Sequence, residues 1–133
     1  MHPRIVFVTN FPDAADVARE MAPSGFDLQI VPAKSAEYRD AMASAEYLVG
    51  FVDMLVDREL FLTGPNLKLV QLLSAGYDQA DLDAARAAKV PVCNNGGANS
   101  VAVSEHALLL VLAVSRQLVR QHKSVSAGQW RGN

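Results

Sequence analysis

The residues whose types and spacing best suit ligand chemistry lie at positions 94–100, which read Asn-Asn-Gly-Gly-Ala-Asn-Ser. They join a short apolar strand to a long apolar helix. Asn99 or Ser100 can cap the first turn of that helix, and the glycines let a ligand approach the backbone closely. Because unpaired backbone N–H groups at a helix start favour an anion, the segment is predicted to be a ligand-binding loop.

A second candidate loop, Ser-Ala-Gly-Tyr-Asp at positions 74–78, follows another apolar strand. In parallel sheets, ligands bind beyond the carboxyl ends of the strands, where the N–H groups of small residues can hold a carboxylate or a phosphate. An ordinary helix start is the competing interpretation, because Asp78 and Asp81 are both typical of the beginning of a helix. The residues alone leave both interpretations open.

The elements that must position these loops alternate between strand and helix. Short β-rich runs predict strands at 4–9, 27–31, 47–52, 67–73 and 90–93, and helical spacing predicts helices at 13–21, 36–43, 57–62, 80–88 and 99–122. Near-continuous apolar strands linked by helices are typical of a parallel sheet covered on both faces. The predicted fold class is α/β, a flavodoxin-like, doubly wound, five-stranded parallel sheet followed by a long apolar helix.

Composition limits the possible functions. The 133 residues are 50% hydrophobic and 20% charged, which predicts a compact globular domain. The net charge of -2, without a basic cluster, argues against nucleic acid or an anionic membrane as a partner. The apolar run at 107–114 is far shorter than a membrane span, and the first residues lack a signal-peptide pattern, so a cytoplasmic location is expected.

Neither a metal site nor a disulfide is predicted. His2, His106 and His122 are not spaced like metal ligands, and Cys93 is the only cysteine. We expect Cys93 to be buried as a small apolar residue. The eight glycines form neither a Gly-x-Gly-x-x-Gly pattern nor a Gly-x-x-x-x-Gly-Lys loop, so the sequence contains no nucleotide-binding fingerprint.

Three segments in a fixed order resemble the amino-terminal part of the NAD-dependent D-isomer-specific 2-hydroxyacid dehydrogenases. They are LKLVQLLSAGYDQADL at 67–82, NNGGANSVAVSEHAL at 94–108 and GQW at 128–130. The resemblance is sharp from about Pro65 to Trp130 and only architectural before it. It implies that residues 1–98 form a flavodoxin-like substrate-binding domain, and that residues 99–133 hold an interdomain and dimerisation helix and the start of a cofactor domain.

The resemblance also implies roles for individual residues. The family binds the substrate carboxylate with backbone N–H groups at the positions of Ala75 and Gly76. Asn99 matches a position whose side chain approaches the substrate, and Ser100 matches the neighbouring position near the cofactor. Met54 lies in a loop that corresponds to a substrate-facing loop of the family.

No catalytic residue is expected within this chain. The family's catalytic Arg, Glu and His, and its Rossmann glycine fingerprint, come later in its longer members and do not occur in these 133 residues. We expect the parent enzyme to transfer hydride between NAD or NADP and a small 2-oxo or 2-hydroxy acid. Because the cofactor domain is missing, this chain should neither bind the cofactor tightly nor turn over substrate. The alternative is a free-standing module that binds a small carboxylate or mediates dimerisation without catalysis.

The helix predicted at 99–122 is apolar over nearly its whole circumference between Ala107 and Val114. A surface helix of a globular protein has a polar face, so this helix requires a covering partner. The expected partner is a second copy of the chain, which predicts a homodimer through this helix. Near its end, Trp130 is expected to anchor the segment by burial.

Overall fold

The computed structural model describes residues 2–130. Its strands are β1 (Arg4–Val8), β2 (Asp27–Val31), β3 (Tyr47–Gly50), β4 (Leu69–Leu72) and β5 (Val92–Cys93). Its helices are α1 (Pro12–Glu20), α2 (Ala36–Met42), α3 (Arg58–Thr63), α4 (Leu82–Ala88), α5 (Ser100–Ser115) and α6 (Leu118–Ser126), and a short 3₁₀ turn spans Asp53–Leu55. The chain divides into two units, the first ending at Gly96 and the second beginning at Gly97.

The strands of the first unit pair in parallel in the order β2-β1-β3-β4-β5. The chain passes from β1 to β2 on one side, then crosses to β3 on the other side of β1, and β4 and β5 follow outward. This strand order is that of the flavodoxin-like doubly wound fold and confirms the predicted fold class. Because the strands are parallel, the loops that follow them emerge at one edge of the sheet.

An apolar core holds the sheet to its helices. Val6 of β1, Leu48 of β3 and Val70 of β4 are fully buried, and Met42 of α2 belongs to the same cluster. Within residues 2–130 the buried side chains are apolar apart from the phenol of Tyr38. The stability of this unit therefore depends on the removal of apolar surface from water.

Side-chain caps set where two of the helices begin. Oδ1 of Asp57 accepts a hydrogen bond from the N–H of Leu60 at 2.8 Å, and Oδ1 of Asp81 accepts one from the N–H of Ala84 at 2.8 Å. Both aspartates are therefore N-caps rather than helical residues. As a result α3 begins at Arg58 rather than at 57, and α4 begins at Leu82 rather than at 80.

The last strand is shorter than predicted and leaves its cysteine uncovered. β5 is an edge strand of two residues, and Pro91 before it has no N–H to contribute to the sheet. Cys93 is exposed, so the expectation that it is buried was wrong. An edge strand of this length has no neighbour on its outer side to cover such a residue.

The second unit contains two helices where the sequence predicted one. Gln117 has a left-handed backbone conformation (φ 51°), and α5 and α6 meet there with a bend of 63°. Helical periodicity did not reveal this break because neither glycine nor proline occurs at it. Trp130 is also 80% exposed, which contradicts the expectation that it anchors the segment by burial.

Within residues 2–130 no single helix is both long and apolar enough to cross a membrane. The bent pair of α5 and α6 reaches that length and hydropathy only when the two helices are taken together.

Gly50 ends β3 at a point where a side chain has no room. A Cβ atom there would lie 2.6 Å from the backbone O of Val8 and 3.0 Å from Cγ1 of Val52. We expect Gly50→Ala to lower the free energy of unfolding by about 1 to 3 kcal/mol, because β1 must shift to admit the methyl group. Urea denaturation followed by circular dichroism measures this change.

The matched control is Gly76→Ala. A Cβ atom at Gly76 would meet only Oδ2 of Asp78, at 3.6 Å, which is ordinary van der Waals contact. This variant should unfold within about 1 kcal/mol of the original chain. If Gly50→Ala proves as stable as Gly76→Ala, the close approach of β3 to β1 is not the reason for the glycine.

Candidate functional site

The ends of β4 and β5 hold a polar turn in place. This turn, here called the β4 turn, consists of Ser74, Ala75 and Gly76. The backbone N–H of Asn95 donates to the O of Ser74 at 2.9 Å, and Nδ2 of Asn94 donates to the O of Ala75 at 2.7 Å. Oγ of Ser74 donates to the O of Gly76 at 2.8 Å. All three carbonyl groups of the turn are therefore occupied.

The N–H groups of the β4 turn are free where its carbonyl groups are bound. In the part of the chain that the structure describes, the N–H groups of Ala75 and Gly76 have no hydrogen-bond acceptor. In a trans peptide the C=O and N–H bonds point in opposite directions. The carbonyl groups of Ser74 and Ala75 are held by the residues after β5, so both N–H groups are turned away from those residues.

Two adjacent free N–H groups suit the two oxygens of a carboxylate. They lie at the edge of the sheet where ligands of this fold class bind. Gly76 adds no side chain that would cover its own N–H, and its surroundings would accept a Cβ atom, so packing of the fold does not require a glycine here. The β4 turn is therefore a candidate anion site, with main-chain N–H groups as its donors.

A small cavity lies beside the β4 turn. Its volume is about 170 Å³, and its lining combines apolar side chains with a phenol, a thiol and an amide, from Leu72, Tyr77, Leu82, Val92, Cys93 and Asn94. Tyr77 follows the turn directly and is half exposed. Tyr77 and Asn94 flank the turn, but Ser74, Ala75 and Gly76 do not line this cavity.

Met54 lies in a different cavity. It is the middle residue of the 3₁₀ turn after β3, and its side chain is exposed. The cavity there has a volume of about 330 Å³ and is otherwise lined by residues 34, 38, 39, 55, 57, 59, 60 and 63, so it includes neither Ala75 nor Gly76. Burial, together with the charges of Asp57 and Glu59, raises the pKa of Tyr38 in this cavity to about 12.

Asn99 and Ser100 begin α5 in the second unit. Asn99 occupies the N-cap position, but its side chain makes no capping hydrogen bond, in contrast to the predicted cap. The N–H of Ser100 donates to the O of Gly97 at 3.1 Å, and the O of Ser100 accepts from Oγ of Ser104 at 2.7 Å. Gly97 has a φ of 86°, which favours glycine, so this turn depends on a residue without a side chain.

The described residues contain neither a group of metal ligands nor a dinucleotide phosphate loop. Among residues 2–130 no group of three or more His, Cys, Asp and Glu side chains is placed to hold a metal ion. The eight glycines of the sequence do not form a dinucleotide phosphate loop. The residues present therefore do not fit the phosphates of a dinucleotide, and we assign no chemical step to such a cofactor here.

Sequence reasoning named Ala75 and Gly76 but gave Asn94 no role of its own. The structure makes Asn94 the residue that holds the second peptide of the β4 turn. A signal was present, because Asn94 directly follows β5, and residues that follow neighbouring parallel strands lie close together. The rule could not be applied to the sequence alone, because the sequence does not show that β4 and β5 are neighbours in the sheet.

The fold places the chain among the flavodoxin-like α/β domains, and its sequence assigns it to one family. Residues 5–128 match the model of the D-isomer specific 2-hydroxyacid dehydrogenase catalytic domain. Because this match covers most of the chain, the protein belongs to that family, which confirms the predicted resemblance.

Similarity to individual proteins agrees with this assignment. Over the whole length of this chain, the sequence is 31% identical to glyoxylate/hydroxypyruvate reductase B of Serratia proteamaculans, and the match covers 41% of that protein. It is 37% identical to D-3-phosphoglycerate dehydrogenase of Mycobacterium leprae, over 68% of this chain and 17% of that protein. The chain thus spans less than half the length of these curated relatives.

Solved structures share the fold. D-lactate dehydrogenase from Aquifex aeolicus, determined as a complex with NAD and lactic acid, matches 97% of this chain and 39% of its own, with a TM-score of 0.80 and 21% identity. NAD-dependent formate dehydrogenase from Staphylococcus aureus, in complex with NAD, matches 96% of this chain and 43% of its own, with a TM-score of 0.75 and 22% identity. At these identities the likeness concerns the fold alone.

Proposed function

We propose that this chain is the substrate-binding part of an NAD(P)-dependent D-2-hydroxyacid dehydrogenase, an enzyme that interconverts a 2-oxo acid and a D-2-hydroxy acid by hydride transfer. In this proposal residues 1–98 form the substrate-binding domain. Residues 99–133 hold the interdomain and dimerisation helix and the start of a cofactor domain. Family membership and the short span of the chain relative to its relatives support the assignment, and the division of the fold between Gly96 and Gly97 lies close to the proposed boundary.

The observation that carries the proposal is the β4 turn, whose carbonyl groups are bound while the N–H groups of Ala75 and Gly76 are free. These N–H groups, of Ala75 and Gly76, would hold the carboxylate of a 2-oxo acid. A carboxylate held in this way fixes the orientation of the neighbouring carbon, C2, without a bulky cation beside it. Hydride exchange at C2 would be the contribution of a nicotinamide bound elsewhere in the enzyme.

The remaining site residues would act from two other segments. Met54 would contact the substrate from the turn after β3, and Asn99 would approach it from the start of α5. Ser100 would lie near the cofactor, NAD or NADP. The chain itself contributes no acid, base or nucleophile to this proposal.

We expect the chain to bind pyruvate weakly. Two hydrogen bonds to a charged carboxylate, at about 1.5 to 3 kcal/mol each, correspond to a dissociation constant in about the millimolar range. Ala75→Pro removes one N–H donor and should weaken binding about tenfold or more. Isothermal titration calorimetry measures the difference, with circular dichroism to verify that the variant is folded.

Two controls sharpen this test. Pyruvamide has the shape of pyruvate without its charge and should not bind detectably. Gly76→Val keeps both N–H groups but places a side chain over them, at a position where the ligand-free fold accepts a Cβ atom. Equal affinity for pyruvate in the original chain and in both variants would rule out the β4 turn as the carboxylate site.

We expect no NADH oxidation by the 133-residue chain. A dinucleotide phosphate loop and an acid/base pair are both outside these residues, so substrate orientation alone is available. The measurement is loss of NADH absorbance with glyoxylate, pyruvate and hydroxypyruvate in turn. Turnover of any of these at a rate typical of an enzyme would refute the assignment as a half-site.

The second unit is proposed to mediate a homodimer through residues 99–122. Eight valines and leucines of α5 are exposed, namely Val101, Val103, Leu108, Leu109, Leu110, Val111, Leu112 and Val114. Leu108 and Leu112 lie four residues apart and share one face of the helix. An apolar surface of this extent on every side of a helix is covered in a stable protein.

We expect the chain to form dimers or larger species at about tens of micromolar, a range in which apolar interfaces of ordinary size are occupied. Replacing both Leu108 and Leu112 with lysine should shift it towards monomer, because two charges would be buried at the interface. Size-exclusion chromatography with light scattering gives the mass. Ser115→Lys is the control at a polar position. A monomeric original chain that binds no apolar dye contradicts the proposal.

A further inference from the structure

We infer that Asn94 is a positioning residue of the carboxylate site. It acts by fixing one peptide plane of the β4 turn. This inference rests on the proposed function, since it concerns the same turn. Asn94 would not touch the substrate. It would act through the backbone of the β4 turn.

The two peptide groups of the turn are held by hydrogen bonds of different kinds. The peptide between Ser74 and Ala75 is fixed by a backbone hydrogen bond, from the N–H of Asn95 to the O of Ser74 at 2.9 Å. The peptide between Ala75 and Gly76 is fixed by a side chain, since Nδ2 of Asn94 donates to the O of Ala75 at 2.7 Å. Only the second peptide therefore depends on a side chain of the residues after β5.

The orientation of this second peptide decides what a ligand meets. While Asn94 holds the O of Ala75, the N–H of Gly76 is directed away from β5 and is free. A rotation of this peptide would exchange the two groups and present a carbonyl oxygen where the N–H had been. A carboxylate would then face a negative dipole instead of a donor.

Nothing else of comparable strength fixes this peptide. Ser74 bonds to the O of Gly76, which belongs to the next peptide along the chain. The surroundings of Gly76 are open enough to accept a Cβ atom, so close packing against its Cα does not hold the peptide in place. Within residues 2–130, the hydrogen bond from Asn94 is the only one to the O of Ala75.

Asn95 provides a matched control, because it contributes through its backbone. Within the described residues the side chain of Asn95 makes no hydrogen bond, so Asn95→Ala keeps the N–H that holds the first peptide. Asn94→Ala removes the amide that holds the second peptide. Asn94→Leu removes the same donor but keeps a side chain of similar size, which separates loss of the donor from loss of volume.

The first measurement is made on the ligand-free chain by ¹⁵N nuclear magnetic resonance. In Asn94→Ala and Asn94→Leu the amide signal of Gly76 should shift, and its order parameter should fall from about 0.85 to below about 0.6. In Asn95→Ala both should match the original chain. An unchanged Gly76 signal in the two Asn94 variants overturns the inference, whatever the chain binds.

The second measurement is the affinity for pyruvate by calorimetry, together with the thermal midpoint. Loss of one neutral hydrogen bond from the ligand-free chain should lower the midpoint by about 3 to 6 °C in the Asn94 variants, and pyruvate affinity should be about five- to tenfold weaker because binding must then orient the loosened peptide. Affinity equal to that of Asn95→Ala overturns the inference and leaves the proposed function intact. If the original chain does not bind pyruvate, the proposed function fails, and the resonance measurement alone decides whether Asn94 fixes the peptide.

Discussion

The pairing of β5 with β4 is the interaction on which the candidate site depends. Only Val70 with Val92 and Gln71 with Cys93 are in register. Because the strands are parallel, this short pairing brings the residues after β5 beside the turn after β4. There the N–H of Asn95 and the side chain of Asn94 bind carbonyl groups of that turn. A two-residue ladder at the edge of the sheet thus determines which main-chain groups remain available to a ligand.

The rest of the first unit serves to hold that edge in place. Apart from the phenol of Tyr38, its buried side chains are apolar throughout the described range, and its ion pairs, such as Arg4 with Asp27, lie at the surface. Surface ion pairs add little stability, while burial of a valine or leucine contributes about 1.5 to 3 kcal/mol. The central strands are therefore held by apolar burial, and polar groups are concentrated in the loops, which is where a ligand is bound in folds of this kind.

Much of this fold could be predicted from the sequence, because β2 and the central strands are short apolar runs between helices with clear spacing. Asp57 and Asp81 were predicted to lie inside helices, because aspartate is common both at the N-cap and in the first turn of a helix. The break at Gln117 could not be predicted, because a left-handed residue other than glycine leaves no mark in the periodicity. Cys93 looked like a core residue only because its position at the edge of the sheet was unknown.

The candidate site likewise has residues that could be predicted from the sequence and a residue that could not. Ala75 and Gly76 could be identified because the motif that contains them is continuous in the sequence. Their carboxylate-binding role remains a prediction. Asn94 received no role because its importance lies in a contact across nineteen positions. Spacing along a chain does not show which carbonyl group a side chain reaches until the order of the strands is known.

Recognition by the main chain has a consequence for how this site can change over time. Every residue other than proline carries the same N–H, so substitutions at Ala75 or Tyr77 alter the shape around a bound acid and leave the two donors in place. The two donors that would hold the carboxylate are thus kept through most substitutions at Ala75 and Tyr77, while the side chains that would contact the rest of the molecule are free to vary. A single framework of this kind can be adapted to acids of different size without first losing its hold on any of them.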